Sequence, residues 1–126
     1  MNVYVLVAES ILLIIPLGMI ILEGFLSFNN IKGDTITGIL NGWAYGKNFF
    51  ITLAWGILTG HFFLGSKVPL IKDNSMSVVI VALLAVTAAL IGCSMKWKKT
   101  NWLFQLAVLI TGTIIGHFIW SMNDFN

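Results

Sequence analysis

Apolar residues run almost unbroken through four stretches of the chain, at about 3–28, 47–64, 77–95 and 102–122, with polar residues gathered between them. A helix needs ~20 largely apolar residues to cross the hydrocarbon core of a bilayer, and all four stretches come close to that length. Their continuity argues for helices. A membrane barrel would show short segments of alternating character, because each strand faces lipid on one side only. The pattern predicts an all-α integral membrane protein, with four transmembrane helices forming one domain over residues 1–126.

The connections differ in kind. The first reads "NNIKGDTITGILNGWAYGK" and is long enough to hold an element of its own. Asp34 or Thr35 can cap a helix start there, because a side-chain oxygen satisfies a free backbone N–H. Ile36, Ile39, Leu40 and Trp43 follow at i, i+3, i+4 and i+7, which is one helical face. This spacing predicts a short amphipathic helix at about 35–45, lying in the membrane interface. Trp43 and Tyr45 suit the headgroup zone, as do Trp97, Trp102 and Trp120 at the ends of other spans. The second connection, "GSKVPLIKDNS", is a polar turn containing Pro69, and the third, "KWKKTN", is a tight basic turn.

Composition makes lipid the expected solvent. Hydrophobic residues make up 58% of the chain and charged ones only 10%, too little polar material for the shell of a soluble domain. The formal net charge of +2 leaves no basic stripe for nucleic acid. The basic residues are all lysines, and their placement sets an orientation. Lys32, Lys47, Lys96, Lys98 and Lys99 lie in or beside the first and third connections, against Lys67 and Lys72 in the second. Cytoplasmic loops carry the excess of positive charge, so the first and third connections are expected inside and both termini outside. The N-terminus lacks the lysine-rich start of a cleavable signal peptide, so the first span is expected to remain in the mature protein. Cys93 is the single cysteine, which leaves no intrachain disulfide and no cysteine-based metal site.

Two segments share a motif. "GILTGHFF" carries Gly56, Gly60, His61 and Phe62; 56 positions later "GTIIGHFI" carries Gly112, Gly116, His117 and Phe118. Glycines four apart clear one helix face and let two helices approach closely, within one chain or between chains. The repeat is compatible with an old duplication of a helix hairpin. His61 and His117 fall near the ends of spans that run the same way, at the same leaflet. Glu9 lies a few residues inside the first span, within reach of that level. An ionisable residue inside a membrane points to function, because leaving it in lipid is costly. Two imidazoles and a carboxylate can bind a divalent metal, two imidazoles can hold a haem iron, and a Glu–His pair can relay protons. The plainer alternative is that each histidine caps a carbonyl or reaches the headgroups. Glu9, Pro16 and Glu23 also share one face of the first span, the two acids lying about 40° apart around the axis. That face is either a polar stripe turned to a bundle interior or two acids reaching opposite interfaces. The phosphate loops, nucleophile elbows and metal-binding helix motifs of soluble enzymes are missing, so no enzymatic activity is expected.

The stretch "IKGDTITGILNGWAYGKNFFITLAWGILTGHFF" resembles small membrane proteins encoded by bacteriophages. In those, an apolar span with an internal Glu precedes a G-D-T-[IL]-[ST] turn, an amphipathic segment and a second span ending in a G-H-F-like sequence. Glu23, Gly33, Asp34, Thr35, Ile36, Thr37, Trp43, Gly60, His61 and Phe62 carry the resemblance, over the first half of the chain. Such proteins are described as holins or holin-like. The resemblance implies subunits that accumulate in the inner membrane, associate as homo-oligomers through small-residue faces and open a lesion that releases a cell-wall enzyme. It brings no catalytic residue and no cofactor. The two further spans depart from that pattern and keep two other expectations open. One is a non-enzymatic membrane subunit packing against a partner through the same glycine faces. The other is a metal- or haem-binding subunit using Glu9, His61 and His117.

Overall fold

The computed structural model describes residues 2–64, 68, 70–96 and 98–120, and every regular element among them is a helix. In chain order these are α1 (Val3–Ser27), α2 (Ile36–Ala44), α3 (Phe50–Phe63), α4 (Asn74–Ser94) and α5 (Trp102–Phe118). Lys67, Pro69, Trp97 and the last two residues of the expected fourth span lie outside the described residues. Two compact units divide the chain, Met1–Asn41 and Gly42–Asn126.

The four apolar runs do not become four helices of crossing length. α1 and α4 are long and apolar enough to cross a membrane. α3 has 14 residues and α5 has 17, short of the ~20 that a full crossing takes. The shortening of α3 comes at its start, where residues 45–49 form turns and the helix begins only at Phe50. A helix stands where a short amphipathic one was expected: α2 lies within one residue of the predicted bounds at each end.

In the first unit, the Asn2 side chain caps α1 by accepting from the Tyr4 N–H. The helix runs through Pro16, whose missing N–H leaves the Leu12 carbonyl without its helical donor. No residue of α1 is buried. Gly33, at a φ of 82°, turns the chain between α1 and α2, a conformation that side chains with a Cβ rarely adopt.

In the second unit, α3 and α5 lie in intimate contact and run parallel. Gly56 abuts Leu109, Gly112 and Thr113, and one turn on Gly60 abuts Thr113 and His117, so residue numbers rise together along both helices. α4 runs the other way. Just before it, the Leu70 N–H donates to the Phe118 carbonyl at the end of α5, and near its own end Gly92 packs on the Lys47 carbonyl just before α3. Ser77, Val81, Ala88 and Gly92 form its buried face, spaced by four, seven and four residues. Asp73 caps α4 by accepting from the Ser75 N–H, and Asn101 caps α5 by accepting from the Phe104 N–H.

Candidate functional site

The α3–α5 pair places the repeated motif against itself. A Cβ built on Gly56 would meet the Leu109 carbonyl oxygen and lie 3.0 Å from the Gly112 Cα. One on Gly112 would meet the Leu53 carbonyl oxygen and lie 3.1 Å from the Gly56 Cα. Gly60 faces the Thr113 carbonyl and the His117 backbone nitrogen; Gly116 faces the Ile57 carbonyl and the His61 backbone nitrogen. Every contact in this set has a counterpart displaced by 56 residues on both sides. The pair is an internal two-fold: two similar helices packed as a parallel dimer would be, inside one chain. All four glycines are buried, and only glycine permits backbone contact this close.

The histidines follow the same symmetry. His61 Nδ1 meets the Trp120 carbonyl, and His117 Nδ1 meets the Leu64 carbonyl. Leu64 and Trp120 are again 56 apart. A carbonyl oxygen only accepts, so each Nδ1 carries the proton and donates. The last carbonyls of a helix have no donor of their own, and here each helix supplies one to the end of the other. The His61 ring also stacks on the Trp120 indole, with ring centres 3.8 Å apart and planes within 9°.

These caps bear on the ligand-binding expectations. The Nδ1 of each ring is engaged by a carbonyl at the end of the opposite helix. Among the described residues, no three His, Cys, Asp or Glu side chains are grouped to hold a metal ion. Replacing both histidines by alanine removes two caps, each worth about 0.5–1.5 kcal/mol. The expected outcome is a lower unfolding temperature in detergent, with no change in bound metal by elemental analysis.

The opposite end of the pair is held by a polar knot that the pattern of residues did not announce. The Gln105 amide nitrogen donates to the Ala44 carbonyl at 2.6 Å and to Thr100 Oγ1 at 3.1 Å, while its oxygen accepts from Thr52 Oγ1 at 2.6 Å. The Thr100 N–H closes the ring on the Tyr45 carbonyl at 3.0 Å. Gln105 is 8% exposed and its polar atoms are satisfied, so it ties α5 to α3 and to the end of α2 without a desolvation penalty. The signal was there: it is the chain's single glutamine, set in an apolar run.

In the first unit, Glu23 is an anchor. Its two oxygens accept from the Thr37 hydroxyl and, at 3.2 Å, from the Thr37 N–H, so the last turn of α1 holds the first turn of α2. A carboxylate suits that place, where free N–H groups and the helix dipole are both positive. Thr35 is the other cap, accepting from the Gly38 N–H at 3.0 Å. Asp34 points elsewhere: one oxygen accepts from the Asn29 amide at 2.6 Å, and the other is buried without a partner. Ile36, Thr37 and Leu40 line an open cleft of about 270 Å³ with Met19, Ile20 and Glu23, while Ile39 and Trp43 remain exposed. Glu9 makes no hydrogen bond or ion pair with any described residue and is exposed on the apolar wall of α1. No protein-family model, curated protein or solved structure matches the chain.

Proposed function

We propose that this is a holin-like membrane protein whose copies assemble in the cytoplasmic membrane and permeabilise it. One observation carries the reading: α1 is long enough to cross a membrane, has no buried residue, and bears the unpartnered Glu9 about 9 Å from its start. A carboxylate at that depth is costly in lipid and is tolerated facing a bundle interior or water. Association of several α1 helices around a water-filled path meets that requirement.

In this reading all four apolar helices cross. The first and third connections, with their lysines, face the cytoplasm, both termini face outward, and α2 lies in the inner interface. The reversal of α4 between parallel α3 and α5 supports that order. At 14 and 17 residues, α3 and α5 measure ~21 and ~26 Å against a hydrocarbon core of ~30 Å. Short spans thin the bilayer around them, which favours its rupture. The test is inducible expression in a bacterium with a potential-sensitive dye. Depolarisation after a period of silent accumulation is expected. Accumulation in the membrane with potential and growth intact overturns the proposal.

A further inference from the structure

We propose that the α3–α5 interface is exchanged between copies, the α4–α5 hairpin of one chain closing on α3 of the next. The inference rests on the membrane-assembly reading above and names the surface and the partner through which assembly occurs. The two-fold in the pair is its basis. Leu53, Gly56, Ile57, Gly60 and Leu64 on one side correspond to Leu109, Gly112, Thr113, Gly116 and Trp120 on the other, and His61 corresponds to His117.

Nothing in this interface marks α5 as belonging to its own chain. A neighbour's α5 brings the same glycine face, receives the His61 cap on its Trp120 carbonyl and returns the His117 cap to Leu64. Exchange therefore breaks and remakes one set of contacts. The Thr52–Gln105 bond travels with it, since Gln105 is on α5 and Thr52 on α3. The connection between α3 and α4, residues 64–73, spans up to roughly 33 Å when extended, enough to carry the hairpin to an adjacent copy.

Contacts being equal, local concentration decides. At low density a chain's own hairpin wins, because a short tether gives it an effective concentration of about millimolar. As copies accumulate in the plane of the membrane, the neighbour's hairpin competes and finally prevails. Such a contact is head-to-tail, so it closes into rings or extends into open arrays, the geometries a lesion requires. The switch from closed monomers to linked copies then comes at a threshold density.

The test uses two differently tagged full-length chains, both carrying Cys93→Ser, which lies outside the interface. One also carries Ile57→Cys and the other Thr113→Cys, and a membrane-permeant bis-maleimide joins them. A covalent heterodimer whose yield climbs with expression is expected, while one chain bearing both cysteines links within itself at low expression. A second pair one turn away, Leu53→Cys with Leu109→Cys, repeats the measurement if burying a cysteine at Ile57 harms folding. Absence of the heterodimer for both pairs, at levels that depolarise the cell, overturns exchange and leaves the permeabilising function standing. Equal linking between two Ile57→Cys copies shows pairing of like helices and also overturns it. Heterodimer without depolarisation supports exchange and removes the permeabilising function instead.

Discussion

Gly60→Ala and Gly116→Ala separate α3 from α5, whereas Gly18→Ala and Gly24→Ala leave the protein intact. The difference lies in what one methyl group meets. At Gly60 it collides with the Thr113 carbonyl oxygen and sits 2.8 Å from the His117 nitrogen; at Gly116 it collides with the Ile57 carbonyl oxygen. These neighbours are backbone, which cannot rotate away as a side chain would. The helices must move apart, and overpacking of this kind costs about 1–3 kcal/mol. Separation also withdraws the carbonyls that His61 and His117 cap, so the glycine and histidine effects are coupled and will not add. At Gly18 and Gly24 no atom lies within 4 Å of the added carbon. There the substitution only favours the helix. The measurement is the midpoint of thermal aggregation in a mild detergent for each variant. A Gly60→Ala protein as stable as the parent would show that the helices do not touch where the structure brings them together.

The same residues show how far the chain could be read in advance. Five helices were legible because long apolar runs and one i, i+3, i+4, i+7 stretch leave little choice of element. Their ends were not. Residues 47–49 fall inside the expected second span, yet 45–49 turn so that Ala44 and Tyr45 can meet Gln105 and Thr100. That constraint comes from residues far along the chain. The glycine faces were legible as faces, because spacing alone defines them. Their partner was not, since the same spacing serves a contact within a chain or between chains. The histidine roles depend on where the opposite helix stops, which no local pattern encodes. Glu23 shows the same limit: periodicity places it on the face of Glu9, but Thr37, fourteen residues on, claims both its oxygens.

The internal two-fold also says something about how the chain is built. α3 and α5 contact each other as equals, while α1 and α4, the long helices ahead of them in the chain, differ. α1 carries two acids and a proline; α4 carries neither and buries Ser77, Val81 and Ala88 instead. If a helix hairpin was duplicated, its second helix kept the pairing surface and its first helix diverged. The structural task then stayed with α3 and α5, and the polar group free to meet water fell to α1.

On the proposed function, Glu9→Leu abolishes permeabilisation while leaving the protein in the membrane. Glu9 is exposed, makes no bond with any described residue and lies outside the α3–α5 pair, so its loss does not disturb that packing. An acid at the centre of a membrane helix costs about 3 kcal/mol on insertion scales, and one nearer the end, as Glu9 is, costs less. In an assembled state that cost is relieved by water along the path, which gives association a driving force that leucine lacks. Loss of about half that cost, ~1.4 kcal/mol, corresponds to a roughly tenfold weaker association. Glu9→Gln separates charge from polarity: it still prefers water to lipid, but less strongly, and should fall between the two. The comparison requires equal amounts of each variant in the membrane fraction, with depolarisation followed by dye. Leucine improves insertion, so a silent Glu9→Leu variant cannot be explained by poor delivery to the membrane. A Glu9→Leu protein that depolarises cells at the parental density would mean that α1 meets lipid, and that the lesion is lined by some other helix.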